Sequence, residues 1–390
     1  MLHTKKPREQ NGRDSFSRFK AQIRSAAIAS LSILEGKEID WVYCDFHDDF
    51  VVRKNNNGKL SYLFYQVKTK SKQNHNWTIN ELIGIHSKKS IEKQDCNKIK
   101  ESFIGKLLLH TIIFENFCSA VIFQTNINNS DEVEDFFGDI KNNKFENKNS
   151  KILIEKFKEI YAEDLNSEEI TDEDIKNKLS KIDFDTDVEY LKDTKDNFEP
   201  IARTRIYNFS EIDLSHTECK EIIIKLLELV EKKSSGIIKE LSEEEIDKLA
   251  GISIEELLEI LSITYDAYQI LLKNGDPKAV KSASIIQRIL SASGAGKETI
   301  EYCSRCKSEW DVWLRNARHS VPEFDLQMII GGIRRILNNC MGFDNSLDID
   351  VLKKPIKTYY KELSEEDGLY GLNQNLILGG VFAEIVKGRA

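Results

Sequence analysis

The sequence predicts an N-terminal α/β domain, with a mixed central sheet flanked by helices, followed by a predominantly α-helical C-terminal region. Three observations predict this organisation. Between residues 41 and 70, short β-rich runs are separated by a turn that contains Asn-Gly. A strongly apolar helical stretch and a buried strand come next, as in a crossover connection onto a sheet. Beyond residue 131, helix-capping sequences precede apolar residues at helical spacing.

The first structured element is predicted to be a helix. Residues 1–12 are rich in basic side chains, and we expect them to form a disordered tail. Asp14 or Ser15 is a suitable N-cap, and Gly36 is a suitable C-terminal stop. Between them, apolar residues recur at helical spacing at Phe16, Phe19, Ile23, Ala27 and Leu31.

Three short strands are predicted next. The apolar runs are Trp41–Asp49, Phe50–Val52 and Leu60–Val67, and the turn Asn55–Gly58 separates the second from the third. Two aspartates therefore open the second strand, and Gln-x-Lys closes the third. Alternate side chains on a strand share a face, so Gln66 is expected beside Lys68.

A helix and a strand complete the predicted N-terminal domain. Residues 98–117 form an apolar helical pattern, and residues 119–125 form a buried strand. The loop at 126–130 is polar, and we place the end of the N-terminal domain, residues 13–130, at this loop.

The remaining sequence is predicted to be mainly helical. Residues 131–210 form an acidic connecting region, with strands left open near Arg203–Phe209. Residues 211–390 form a helical domain for assembly or regulation. Capping sequences of the form Ser-x-x-Glu begin at Ser215, Ser242 and Ser253.

The residues that close the β-rich region have the character of a phosphodiesterase site. A hairpin brings an aspartate at the start of one strand close to the end of its partner. A carboxylate and an amide oxygen are hard ligands that suit Mg²⁺ or Mn²⁺. A neighbouring lysine orients water or neutralises charge that develops on phosphate. Asp48 or Asp49, Gln66 and Lys68 are therefore the candidate catalytic residues.

This pattern resembles the restriction-endonuclease-like PD-(D/E)XK nucleases, in the subset where Gln replaces Glu. Asp45-Phe-His-Asp-Asp-Phe-Val-Val, followed by Tyr65-Gln-Val-Lys-Thr-Lys and Trp77-Thr78, is similar to a nuclease domain of anti-phage effectors. That domain occurs in effectors of cyclic-oligonucleotide signalling and in partners of HerA-type ATPases. The resemblance covers residues 12–127.

The resemblance implies a restriction-endonuclease-like fold and a divalent-metal site. The metal-binding acid of the family corresponds to Asp49, which directly precedes Phe50, and Asp48 is the alternative. The side-chain oxygen of Gln66 and the carbonyl of Val67 are the other expected ligands of Mg²⁺ or Mn²⁺. Lys68 is expected to position the attacking water.

Four further residues are candidate substrate contacts. The family often places a polar residue of the first helix near the metal, and Gln22 is the candidate, although a surface Gln is the alternative. Lys70 either holds a phosphate or is an exposed strand end. Lys72 lies in a polar loop suited to backbone contact. Trp77 either stacks on a nucleotide or anchors this loop on the domain.

Charge is distributed unevenly along the chain. The net charge is −9, but residues 1–110 hold 20 Lys+Arg against 12 Asp+Glu, a net +8. A basic first third joined to an acidic remainder fits a nucleic-acid site at one end only. We expect the partner to be double-stranded DNA, contacted mainly through its backbone, with RNA left open.

The other expected properties concern location and partners. Seven scattered cysteines and no secretory signal favour a cytoplasmic protein with reduced thiols, and no apolar stretch is long enough for a membrane segment. We therefore predict a metal-dependent DNA endonuclease of low sequence specificity that acts in anti-phage defence. By analogy, it is activated by assembly with a HerA-type ATPase and forms a homo-oligomer. The alternatives are activation by a nucleotide signal through the C-terminal region, and a catalytically silent nucleic-acid-binding scaffold.

Overall fold

The computed structural model describes residues 11–36, 38–71, 74–165, 170–192, 197–209, 214–342, 346–366 and 368–389. These residues form two compact units. The first comprises residues up to 202 together with 223–253, and the second comprises residues 203–222 together with 254 onward. The chain therefore passes from one unit to the other three times.

The first unit contains a six-stranded sheet, and this sheet is mixed, as the sequence predicts. The strands are β1 (Ile39–Phe46), β2 (Asp48–Asn56), β3 (Lys59–Lys68), β4 (Cys118–Thr125), β5 (Ile182–Asp185) and β6 (Gly251–Ile252). Their order across the sheet is β5-β4-β3-β2-β1-β6. The strands β1, β2 and β3 form an antiparallel meander, whereas β4 and β5 run parallel to β3.

The β2–β3 hairpin forms where the Asn-Gly turn predicts it. Asn57 and Gly58 both have positive φ, of 53° and 89°, as a two-residue turn between twisted strands requires. Asn56 pairs with Lys59, and the pairing continues without a shift to Phe50 opposite Tyr65. The hairpin therefore brings the start of β2 alongside the end of β3.

Helices precede and separate these strands along the chain. In chain order they are α1 (Asn11–Leu31), α2 (Ile79–Leu82), α3 (Cys96–Lys100), α4 (Phe103–Ile113), α5 (Asp131–Lys141), α6 (Lys148–Ile160), α7 (Asp172–Leu179), α8 (Phe198–Phe209), α9 (His216–Ser234) and α10 (Glu243–Leu249). Helix α1 continues into a 3₁₀ turn that ends at Gly36, in the left-handed conformation. The strands left open near Arg203–Phe209 are not present, because this segment forms the second half of α8.

The first unit extends past residue 130, where the sequence analysis ended the domain. Its main apolar core includes Phe64 and Leu107 from the predicted domain, but also Phe136, Phe157 and Ile182 from the region beyond it. The strand β5 completes one edge of the sheet, and β6 pairs with β1 on the other. The compact unit therefore extends beyond the predicted domain end at residue 130, because two sheet strands and part of the core come from later sequence.

In the second unit, the described residues form helices joined by short connections. Beyond the parts of α8 and α9 that it contains, its helices are α11 (Ile254–Ile260), α12 (Tyr265–Lys273), α13 (Ala279–Ala292), α14 (Lys297–Ser320), α15 (Glu323–Cys340), α16 (Ile349–Glu365) and α17 (Gln374–Arg389). Trp310 and Phe382 are fully buried in it. The predominantly helical C-terminal region is thus confirmed. No helix in the described segments has both the length and the apolar character needed to cross a bilayer.

Candidate active site

Asp49 lies at the point where the hairpin places the start of β2 against the end of β3. Its Oδ2 atom accepts a hydrogen bond of 2.6 Å from the backbone N–H of Val67 and one of 3.0 Å from Nζ of Lys68. The side chain of Asp49 is 13% exposed, and that of Lys68 is 24% exposed. Two of the candidate catalytic residues, Asp49 and Lys68, are therefore in direct contact.

Helix α1 supplies a third donor to the same carboxylate. Nε2 of Gln22 donates a hydrogen bond of 2.5 Å to Oδ1 of Asp49. One turn along the helix, Ser25 donates to Oε1 of Gln124 on β4, so the helix is held against two strands at this end of the sheet. Gln22 is thus beside the candidate site, rather than a surface residue.

The environment of Asp49 favours a positive charge nearby. Burial raises the pKa of Asp49, whereas Lys68 and the Val67 N–H lower it, and the net direction is upward. A carboxylate that is costly to ionise in its surroundings is stabilised in its charged form by an added cation. This property suits a metal ligand, and the role stays a prediction.

Gln66 supplies a second oxygen that suits a metal ion. Its Oε1 atom is buried and accepts no hydrogen bond within the part of the chain that the structure describes. A buried amide oxygen without a donor is costly, and a bound cation would satisfy it. The carboxylate of Asp49 and this oxygen are the hard donors that Mg²⁺ and Mn²⁺ prefer. The residues present therefore fit such an ion.

The donor set has little negative charge. No cluster of three or more His, Cys, Asp or Glu side chains suited to a metal occurs among the described residues. One carboxylate and one neutral amide bind a divalent ion weakly, and phosphate oxygens of a substrate would complete its coordination. The role of the Val67 carbonyl as a ligand stays a prediction, and the structure instead records its N–H as a donor to Asp49.

Asp48 is directed away from this contact and is paired with a residue that the sequence analysis did not identify. Its Oδ1 accepts a hydrogen bond of 2.9 Å from the backbone N–H of Asp49, and its Oδ2 lies 3.1 Å from Nε2 of His110 on α4. The sequence did indicate that His110 has a polar partner, because His110 interrupts an apolar run and a buried imidazole needs a hydrogen-bond partner. The partner itself was not visible, since 62 residues separate the pair.

Lys70 is engaged by neighbouring side chains. Its Nζ lies 2.5 Å from Oε1 of Glu81 and 3.9 Å from the ring centre of Trp77. Glu81 also accepts hydrogen bonds from Thr78, the N-cap of α2, and lies 3.2 Å from Nε2 of His75. To contact a phosphate, Lys70 would have to exchange the carboxylate of Glu81 for it. Sequence reasoning missed Glu81, and Lys72 lies outside the described residues.

Trp77 anchors the loop. Only 5% of its surface is exposed, and its Nε1 donates a hydrogen bond of 2.9 Å to Oγ1 of Thr125. Its ring packs edge-on against Phe103 and Phe123. The burial of Trp77 therefore favours the alternative in which the indole anchors the loop, and a role in substrate binding stays a prediction.

Comparison with known proteins gives a match that covers this site. A family model described as "Cap4, dsDNA endonuclease domain" matches residues 10–234, more than half of the chain. The matched segment contains Gln22, Asp49, Gln66 and Lys68, together with strands β1 to β5. No curated protein sequence matches the chain significantly.

Similar solved structures include a Cap4 SAVED/CARF-domain containing receptor from Acinetobacter baumannii, with 10% identity and a TM-score of 0.36. That similarity covers 76% of this chain and 60% of the receptor chain. The same receptor with the cyclic trinucleotide 3′3′3′-cAAA matches with 9% identity and a TM-score of 0.36, over 78% and 63% of the two chains. This chain therefore spans less than two thirds of the receptor, and the likeness carries no inference about activity. The family match, with its extent over more than half of the sequence, shows that the chain belongs to the Cap4 dsDNA endonuclease domain family.

Proposed function

We propose that the chain is a metal-dependent double-stranded DNA endonuclease that acts in anti-phage defence in the cytoplasm. The observation that carries this proposal is the contact of Asp49 with Lys68, at a strand end that also holds the unsatisfied oxygen of Gln66. This site lies inside the segment that matches a DNA endonuclease family.

Each residue has a separate role in the proposed reaction. Asp49 and Gln66 would hold Mg²⁺ or Mn²⁺, which supplies Lewis-acid stabilisation of the phosphate when it is bound. Lys68 would position the attacking water and stabilise the negative charge that develops on the phosphate. Gln22 donates to the Asp49 oxygen that Lys68 does not contact, and so limits rotation of the carboxylate.

The amide at Gln66 sets an expectation about metal affinity. Gln carries one negative charge fewer than Glu, so the free enzyme should hold the ion weakly. Substrate phosphate adds negative charge at the site, and metal binding should therefore tighten when DNA is present. Gln66→Glu is expected to lower the Mn²⁺ concentration needed for half-maximal binding in the absence of DNA.

Low sequence specificity follows from the kind of contact that the chain offers. The first 110 residues have a net charge of +8, and such charge is suited to the DNA backbone. Contacts to phosphate give affinity and register without reading bases. Binding should therefore weaken steeply as salt concentration rises, and it should depend little on sequence.

Plasmid cleavage tests the proposed activity. Supercoiled DNA is incubated with Mg²⁺ or Mn²⁺ and wild-type protein, Asp49→Asn, Lys68→Met or the control Lys59→Met, and a duplex RNA of equal length is tested in parallel. Lys59 is an exposed lysine on the same strand, so its variant controls for loss of one charge. We expect cleavage by the wild type and by Lys59→Met, and at least about 100-fold slower cleavage by the two site variants. If the wild type binds DNA without cutting it under any condition, the silent scaffold is the better description.

We further propose that assembly activates the nuclease. An unregulated endonuclease would damage its host, and the helical region from 211 to 390 is suited to contacts with a HerA-type ATPase and with further copies of the chain. The alternative is a nucleotide signal that acts on the same region. Cleavage is measured with a purified HerA-type ATPase, and separately with a cyclic trinucleotide, the kind of ligand named for the Acinetobacter baumannii receptor. Stimulation by only one of them identifies the trigger, and light scattering with and without it gives the oligomeric state.

A further inference from the structure

A buried pair of side chains, Asp48 and His110, lies next to the candidate catalytic residue Asp49. Asp48 is 7% exposed and His110 is 10% exposed, and 3.1 Å separates Oδ2 of Asp48 from Nε2 of His110. The other oxygen of Asp48 accepts the backbone N–H of Asp49 at 2.9 Å. One carboxylate thus connects an imidazole on α4 to the backbone of the residue that is proposed to bind metal.

The imidazole is held in one orientation by its surroundings. Its ring stacks on Phe64 of β3, with ring centres 4.3 Å apart and an angle of 13° between the planes. A carboxylate oxygen can only accept, so Nε2 of His110 carries the proton in this contact. Within the described part of the chain, Nδ1 is buried and has no hydrogen-bond partner. Among the described residues, the hydrogen bond to Asp48 is the only one that the imidazole makes.

The backbone at this point needs external support. Asp45 and His47 both have positive φ, of 48° and 64°, in a region that residues other than Gly adopt at a cost. Asp48 follows this strained segment directly and is the first residue of β2. A hydrogen-bonded carboxylate here is suited to holding the start of the strand, and with it the N–H of Asp49, in a single position.

We propose that His110 is a positioning residue that acts through Asp48 to set the direction of the Asp49 carboxylate. His110 would not touch the substrate or the metal ion. It fixes Asp48, Asp48 fixes the N–H of Asp49, and the carboxylate is thereby presented to Lys68 and Gln66. The catalytic consequence rests on the proposed nuclease function, whereas the positioning of Asp49 does not. Loss of a group that orients a metal ligand typically costs 10- to 100-fold in activity or metal affinity.

Three substitutions at residue 110 separate the hydrogen bond from the packing. His110→Phe keeps a ring against Phe64 but removes the donor. His110→Gln restores an N–H near the position of Nε2, and His110→Asn carries the same amide on a side chain one methylene shorter. His319→Phe replaces an exposed histidine of α14 and is the control. Thermal unfolding checks that each variant is folded, and the Asn and Gln pair provides the comparison if Phe is not tolerated.

The first readout does not depend on activity. In protein labelled with ¹⁵N-aspartate, the amide signal of Asp49 is identified by its loss in Asp49→Asn. We expect this signal to move upfield in the Phe and Asn variants, because its acceptor is no longer held in place, and to return in His110→Gln. An Asp49 signal that stays unchanged in all variants overturns the proposal, whether or not the protein cleaves DNA.

The second readout uses cleavage and Mn²⁺ titration. We expect His110→Phe to cleave about 10- to 100-fold more slowly or to need correspondingly more Mn²⁺, with recovery in His110→Gln. If His110 acts through Asp48, His110→Phe should add little to the defect of Asp48→Ala in the double variant. Fully additive effects, or wild-type cleavage by His110→Phe, would contradict the proposal. A wild type that does not cleave refutes the proposed function instead, and the amide signal then still tests the positioning of Asp49.

Discussion

At the scale of single residues, Asp49 is the most constrained group in the candidate site. It accepts hydrogen bonds from three side-chain or backbone donors that belong to α1 and β3. The sequence analysis expected Lys68 and Gln22 near this carboxylate, because the nuclease family that the sequence resembles has a lysine at a strand end and a polar residue on the preceding helix. Their presence together is a structural result, whereas their catalytic roles stay predictions.

Gln22→Leu tests the contribution of α1 to the site. The substitution keeps a side chain of similar size but removes the donor to Oδ1 of Asp49. We expect cleavage to slow by about 10-fold, while the free energy of unfolding changes by no more than about 3 kcal/mol, the upper range for one hydrogen bond to a charged group. The exposed Lys20 of the same helix provides the control Lys20→Leu. Equal cleavage rates for the two variants would rule out a role for Gln22.

Glu81→Gln tests the electrostatic role of a residue that the sequence analysis missed. Partial burial by itself raises the pKa of Glu81, but hydrogen bonds from Lys70, Thr78 and His75 outweigh it and lower the pKa to about 2. A depressed pKa contributes stability above the ordinary value of 4.5, and this stability is lost as the pH falls toward 2. The advantage of the wild type over Glu81→Gln should therefore be largest at about pH 6 and shrink below about pH 4.5.

Urea unfolding between about pH 6 and about pH 3 measures this difference. Glu134→Gln, which removes an exposed carboxylate from α5, is the control for a general change in charge. If the wild type and Glu81→Gln lose stability in parallel over this range, the ion pair with Lys70 does not stabilise the fold.

At the scale of elements, a hairpin is specified by neighbouring residues, whereas the packing of two helices is specified by residues distant in the chain. The β2–β3 hairpin follows from alternation and an Asn-Gly turn, so the sequence alone predicts it, and the structure gives its register. Packing between helices depends on side chains far apart in the chain. In the second unit, Gly332 of α15 faces Tyr359 of α16, and a Cβ atom at Gly332 would lie 2.1 Å from the ring of Tyr359.

Two adjacent glycines of α15 give a matched test of this packing. A Cβ atom at Gly331 meets nothing within 4 Å, so Gly331→Ala should stabilise the protein by roughly 0.5–1 kcal/mol through helix propensity. Gly332→Ala forces the buried Tyr359 to move and should destabilise the protein by about 1–3 kcal/mol. Equilibrium unfolding in urea measures both values. Similar changes in the two variants would mean that α15 and α16 are not closely packed at this point.

At the scale of the whole molecule, the first unit is discontinuous in sequence. Residues 223–253 return to it after the chain has entered the second unit, and they bring α10 and β6 to the edge of the sheet. Tyr43 on β1 donates a hydrogen bond of 2.8 Å to Asp247 of α10, and the N–H of Cys44 donates to the carbonyl of Ala250. These contacts link segments about 200 residues apart.

Truncation tests where the folded unit ends. A fragment of residues 13–130 lacks β5, β6 and the core side chains of α5, α6 and α7, and we expect no cooperative unfolding transition. A fragment of residues 1–253 keeps all six strands and should unfold cooperatively. Circular dichroism during urea denaturation compares the two. A cooperative transition in the shorter fragment would show that the later strands are dispensable.

The sequence by itself determined the fold class, the β2–β3 hairpin and the placing of an aspartate, Asp48 or Asp49, near Lys68 at a strand end. These features depend on alternation, turn chemistry and motif spacing, which are local and can be read over a few residues. Only the tertiary structure decided the pairing of Asp48 with His110, the burial of Trp77 and the return of β6 to the sheet. Each of these joins segments that are distant in the chain, and no local periodicity encodes which distant partner fills a given position.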